Sequence, residues 1–283
     1  MRARALPVLS VALSAATACD DFTRPADPLE ADPDVVTVAI VLVAGEHGAR
    51  MLAVHPHRPR SASAPELDAV LKGPGWTAGF SDTVPLESCT LAGPDRWPGP
   101  VTCLRALLPE PILPEVRYGI AGTALPGAFS GTVVVPAAPV MLEPGDTVEL
   151  PPPPDGRRIK VGVRYRVAPD VGTVQAEIPE AFEILEDGTE VEVEVGLLGI
   201  VPPNLEGAGA ETTLSVRYRD RPMRFSLRLL GLGRNYTNFV AYTSTFPLPQ
   251  PWPSFGIEGE GVYGYFAAAA PSRATQIRVG QAR

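Results

Sequence analysis

The chain has 283 residues, among them 33 prolines, 27 glycines and 3 cysteines, and a formal net charge of -8 at pH 7. Proline and glycine together stay under the roughly 25–30% at which an aperiodic chain reads as disordered, yet proline this frequent leaves few stretches long enough for helices, which excludes helical bundles and α/β barrels. The acidic balance argues against a nucleic-acid or anionic-membrane surface, and the length suits two domains of all-β class.

Arg2 and Arg4 precede an apolar run over residues 5–13 and small residues ending Ala16-Thr17-Ala18-Cys19. This is the layout of an export signal, and the run is shorter than the about 20 apolar residues that span a bilayer. Two cleavage readings stay open. Ala16-x-Ala18 suits an ordinary signal peptidase and leaves Cys19 a free thiol, whereas a small residue before cysteine suits lipoprotein processing, with 1–18 removed and Cys19 lipidated. An odd thiol in an exported chain favours the second reading, because lipidation accounts for it. Residues 19–34, acidic and broken by proline, then form a disordered tether between the membrane and the folded part. Cys89 and Cys103 are expected to pair in the oxidising compartment, as a structural staple across a loop without apolar periodicity. The spacing is not that of a C-x-x-C redox pair.

Residues 35–43 (VVTVAIVLV) read as a buried strand, followed by short strands over 50–55, 76–80, 101–108, 116–120 and 129–135. Ser63-x-x-Glu66 resembles a helix-capping box with Gly73 as a stop, but the segment is brief and a strand over 68–71 is the preferred reading. The proline-dense stretch 138–157 divides a first sandwich domain, 35–137, from a second, 158–283. In the second, Ile159, Val161, Val163, Tyr165 and Val167 alternate with Arg158, Lys160, Arg164 and Arg166. The alternation recurs at 190–195, 214–218 and 223–229, the mark of antiparallel sheet with one wetted face. Residues 236–243 and the terminal block 255–267 are expected to complete that second domain as strands.

Several segments resemble an exported bacterial lipoprotein family, the domain of unknown function 4249. They are the anchor cysteine with Asp20-Asp21 behind it, the element Pro114-Glu-Val-Arg-Tyr118-Gly-Ile120, the strand Gly131-Thr-Val-Val-Val-Pro136, and the glycine-rich block from Phe255 to Phe266. Glu115 stands where that family prefers glycine. The resemblance implies an immunoglobulin-like or carboxypeptidase-regulatory-like first sandwich, a lipid-anchored place in the cell envelope, and a TonB-dependent outer-membrane transporter or another envelope protein as partner. Independently, Tyr118 is placed to cap with its hydroxyl the turn formed by residues 111–114.

Candidate chemistry is sparse. His55 and His57 would share a face of a strand as two metal ligands do, but Pro56 between them favours an edge or turn, no third ligand has a set spacing, and exposed loop histidines are the expected outcome. Glu183, Glu186, Asp187, Glu190, Glu192 and Glu194 include carboxylates enough for glycoside chemistry, yet Glu190, Glu192 and Glu194 alternate with valine as a solvated face does. There is no G-x-S-x-G motif and no calcium or phosphate loop, so no cofactor is expected. Trp76, Trp97 and Trp252 are the candidates for ligand or partner contact, the last two in proline-flanked loops, although tryptophans there also cover sandwich ends. The expectation is a non-enzymatic envelope lipoprotein acting as a binding or accessory module. The alternatives are an envelope enzyme on glycans or peptides, and a purely structural protein.

Overall fold

A computed structural model describes residues 34–89, 99–125, 127–154, 157–193, 195, 199–201, 210–218, 221–245 and 254–280. Strands β1 (Val36–Val43), β2 (Gly48–Val54), β3 (Leu67–Gly73), β4 (Trp76–Gly79), β5 (Asp82–Val84), β6 (Val101–Leu107), β7 (Arg117–Ala124) and β8 (Gly127–Val134) open the fold. The proline-dense stretch carries β9 (Val140–Glu143) and β10 (Thr147–Leu150). Then come β11 (Arg158–Arg166), β12 (Val171–Ile184), β13 (Glu190–Glu192), β14 (Gly199–Val201), β15 (Ala210–Arg217) and β16 (Met223–Gly233). Helix α1 (Arg234–Thr245) and strands β17 (Glu258–Gly259), β18 (Val262–Pro271) and β19 (Thr275–Val279) close the chain. No helix among the described residues is long and apolar enough to cross a membrane.

The architecture is all-β, with two sandwiches that share a sheet. In the first, β18-β1-β2-β6-β5 faces β17-β8-β7-β3-β4; in the second, β10-β19-β16-β12 faces β15-β11-β9. Period-two burial makes each layer: Ile159, Val161, Val163 and Tyr165 of β11 point inward and are nearly inaccessible, while Arg158, Lys160, Arg164 and Arg166 are exposed. One core gathers Ile40, Leu71, Tyr118, Phe129 and Phe266, the other Tyr165, Val174, Phe225, Leu229 and Ile277. Each large aliphatic buried there contributes about 1.5–3 kcal/mol of transfer free energy.

Three expectations need correction. First, the terminal block does not complete the second sandwich. Strand β18 runs parallel to β1 from Val36↔Val262 to Val43↔Ala269, and Val262, Phe266, Ala268 and Ala270 enter the first core. The pairing depends on Gly264, at φ 114°, where a Cβ would lie 1.9 Å from the Val38 carbonyl oxygen. Past Phe266 the strand turns to alanine, because Ala267–Ala270 are buried on both faces where the sandwiches meet. There β16 pairs with β18 through Leu230–Leu232 and with β19 through Met223–Leu227, making one sheet of the two halves. Second, the sheets are not purely antiparallel, since β1–β18 and β10–β19 are parallel pairs. Third, 236–243 is not a strand but most of α1. Its aromatic and β-branched residues favour strand, but Tyr236, Phe239 and Tyr242 recur every third position and pack on Tyr265 and Phe255. Asn235 also donates to the Phe266 carbonyl at 2.9 Å. Tertiary packing therefore overrides propensity.

Candidate functional site

The site is built on the outer face of the first sandwich. In β1, Val36, Val38, Ile40 and Leu42 are fully buried in the core. By period two, Thr37, Ala39, Val41 and Val43 emerge on the opposite face. Beside them in β2, Leu52 and Val54 also face outward, and the register sets Thr37 opposite Val54, Ala39 opposite Leu52 and Val41 opposite Arg50. A solvated sheet face would carry polar side chains here. Instead it is aliphatic, and it forms the floor of a trough of about 320 Å³.

Two walls rise from this floor. On one side stand Phe239 of α1 and Tyr265 of β18, their ring centroids 4.5 Å apart. Burial pushes the Tyr265 hydroxyl well above the usual tyrosine range, so it stays protonated. On the other side stand Ser88 and Cys89, at the end of a 3₁₀ turn (Leu86–Ser88). The Cys89–Cys103 disulfide, S–S 2.01 Å, holds that turn against β6. Cys103 pairs with Leu52 of the floor, so the staple is also what positions this wall.

Polar groups are few and placed at distinct points. Thr37, 3% exposed, has a hydroxyl with no hydrogen-bond partner among the described residues. A buried, unsatisfied hydroxyl costs about 1–3 kcal/mol and is rare in native proteins. Arg50 lies on the flank opposite Val41, facing Arg105 of β6, which is bound to Asp82 at 3.2 Å. Glu46 lies at the Val43 end. The trough thus has a hydroxyl at one end, a cation partway along and an acid beyond it.

Of the residues singled out from the sequence, only Cys89 lines this trough, with Cys103 behind it. Trp76 sits on β4 in the opposite sheet, 6.0 Å from the Tyr118 ring, and fills the space a side chain at Gly73 would need. The Tyr118 hydroxyl accepts the Leu113 N–H at 2.8 Å. Cys19, Trp97 and Trp252 lie outside the described residues. His55 is not an exposed loop histidine but 2% exposed. The Pro56 turn folds it under the start of β1, where its Nδ1 donates to the Val35 carbonyl at 3.1 Å. Burial lowers its pKa below 6.5. His57 is half-buried in the turn beyond, and among the described residues no cluster of three or more His, Cys, Asp or Glu could hold a metal.

Two of the acids singled out, Glu190 and Asp187, are engaged otherwise, and Glu194 lies outside the described residues. Arg224 grips Glu190 through Nε at 2.6 Å and holds its carboxyl below the ordinary range, the wrong direction for a general acid. Asp187 accepts the Thr189 N–H within its own turn. What sequence reasoning missed is the second face of β1. A continuous apolar run signals a strand covered on both sides, but not what covers the outer one.

The fold defines a class, an all-β protein of two sandwiches that share a sheet. No family model and no curated protein matches the chain. Among solved structures it is similar to an immunoglobulin tandem of titin at 10% identity, over 87% of this chain and 97% of that one, with a TM-score of 0.19. It is likewise similar to the N-terminal Ig1-2 module of the Drosophila receptor protein tyrosine phosphatase DLAR, at 13% identity over 84% and 99%, with a TM-score of 0.26. Superpositions this loose bear on neither ligand nor activity.

Proposed function

We propose that the protein is an exported, lipid-anchored and non-enzymatic binding module of the cell envelope, with the trough on the first sandwich as its binding site. The observation that carries the reading is an aliphatic sheet face with a buried, unpartnered Thr37 hydroxyl, since apolar concavities with a few placed polar groups are what ligand sites consist of. Export is supported by the signal-like N-terminus and by a disulfide, which persists in oxidising compartments. Cys19 serves as the anchor and the acidic residues behind it as the tether. By its resemblance to the domain of unknown function 4249, the module is an accessory to a TonB-dependent outer-membrane transporter.

Two experiments test this. Palmitate label should enter the chain and be lost in Cys19→Ser; a chain that matures without label, insensitive to globomycin, has no anchor. Cross-linking in native membranes should then co-purify an outer-membrane transporter. A chain recovered alone under several cross-linking chemistries would overturn the accessory role.

A further inference from the structure

We infer that the side of the molecule opposite the trough is a docking face for an anionic phospholipid bilayer. Both cores lie on one side of the shared sheet. Gly231 of β16 pairs with Ala270 of β18, which enters the first core, and with Val174 of β12, which enters the second. The sheets β17-β8-β7-β3-β4 and β15-β11-β9 therefore cover that same side, while the trough opens on the other. Their outward residues make the docking face.

Those residues are charged unlike the chain as a whole. In β11, Arg158, Lys160, Arg164 and Arg166 are exposed, and Arg217 of β15 is exposed directly opposite Arg158. Like charges set opposite each other across a ladder destabilise it, and an anion over the pair relieves the repulsion. The two acids of this face, Glu143 and Glu211, both flank Arg164 and leave the Arg158 end basic. Lys160 and Arg217 have no carboxylate partner among the described residues. On the neighbouring sheet, Lys72 and Arg117 are exposed against Asp68. The acidic balance of the chain, net -8, speaks against an anionic surface only where charge is evenly spread, and here it is segregated. Glu177 and Glu190, gripped by Arg228 and Arg224, lie on the outer side of the shared sheet. That is more than one sheet spacing of about 10 Å behind the basic face, farther than the Debye length of about 8 Å at physiological ionic strength.

Exposed aliphatics among the cations select a bilayer over a soluble polyanion. Val134 stands opposite Arg117 and Val140 opposite Arg166, 44% and 46% exposed, on either side of the crossing from β8 to β9. Leu142, 41% exposed, is next to them. Aliphatic side chains flanked by arginine and lysine suit the boundary between headgroups and acyl chains, where the cations meet phosphates. A soluble polyanion would use the cations and leave the aliphatics in water. The inference rests on the envelope reading only in placing a bilayer within reach. A single lipid chain holds a protein to a membrane marginally, and a basic face supplies the second attachment.

The test is co-sedimentation of the Cys19→Ser chain, which carries no lipid of its own, with vesicles of phosphatidylcholine alone and of equal parts phosphatidylglycerol and phosphatidylcholine. Binding should require the anionic lipid. Lys160→Gln and Arg217→Gln should each weaken it about fivefold, and Val140→Ser several-fold, with circular dichroism unchanged. Arg278→Gln, on the outer side of the shared sheet between inward Ile277 and Val279, should leave affinity as it was. No binding to the anionic vesicles, equal binding to phosphatidylcholine alone, or the same loss in Arg278→Gln would each overturn the inference. Affinity retained in Val140→Ser, with a soluble acidic polysaccharide competing as well as vesicles do, would overturn it in favour of a glycan. Palmitate labelling of the native chain without vesicle binding by Cys19→Ser would sink the docking face and leave the anchor standing. Vesicle binding by a protein that takes no label would do the reverse.

Discussion

Replacing Thr37 by valine should stabilise the ligand-free protein, although it removes a polar group from a strand that contributes to the site. The hydroxyl is buried, with the side chain 3% exposed, and has no partner among the described residues. In the unfolded chain it is hydrogen-bonded to water, so folding forfeits about 1–3 kcal/mol. Valine has nearly the same shape and keeps the β-branch that suits a strand. The variant should therefore gain about 1–3 kcal/mol, which at about 2–4 °C per kcal/mol for a domain of 150–250 residues is a rise of several degrees in melting temperature. Urea titration with a constant m-value isolates the stability term, and Thr37→Ser, which keeps the hydroxyl and loses the methyl, should move the midpoint the other way. A Thr37→Val variant no more stable than the parent would mean that the hydroxyl is already satisfied in solution. The unsatisfied hydroxyl that sets this strand face apart would then be lost as an observation.

Four further predictions probe the frame of the site. Tyr118→Phe leaves the Leu113 N–H without its acceptor and should cost about 1–3 kcal/mol in chemical denaturation; an unchanged midpoint would show that water replaces the phenol. Gly264→Ala sets a Cβ 1.9 Å from the Val38 carbonyl oxygen at φ 114°, and should cost more than about 4 kcal/mol or prevent folding, read by yield and circular dichroism. Reducing Cys89–Cys103 should lower stability by about 3 kcal/mol in the chain-entropy model and loosen the wall at Ser88, so the affinity of a fluorescent aliphatic probe for the trough should drop under reductant; affinity that holds would separate the staple from the site. His55 is held neutral by burial, its pKa lowered from 6.5, so the unfolded chain binds the proton first as pH falls. Its contribution is complete above about pH 6.5 and is lost progressively below it, and in His55→Asn, which keeps a donor for Val35, that slope between pH 7 and 5 should flatten.

The alternation of β11 is legible because its two faces have different surroundings, core on one side and water on the other, and the sequence records both. Cysteine count and compartment logic likewise reach the Cys89–Cys103 bridge without coordinates. Other features depend on partners far away in the chain. Nothing local to residues 255–267 says that Val262–Pro271 pairs with Val36–Val43. The glycine at 264 signals close backbone approach but does not name the neighbour. The helix at Arg234–Thr245 is held by rings of Tyr265 and Phe255, so its period of three aromatics is informative only once those are known to lie beneath it. The trough was hidden for the same reason. Ile40 and Val41 look alike in sequence, and only the fold shows that Ile40 faces the core and Val41 a groove.

The most direct measurement of the central claim is a methyl NMR titration of the Cys19→Ser chain with dodecanoate as an aliphatic probe of the trough. The account predicts saturable shifts of the methyls of Val41, Val43, Leu52 and Val54, with Leu214 and Val216 of the second core unmoved. Shifts spread evenly over both sandwiches, or confined to the second, would contradict the placement of the binding site on the outer face of β1 and β2.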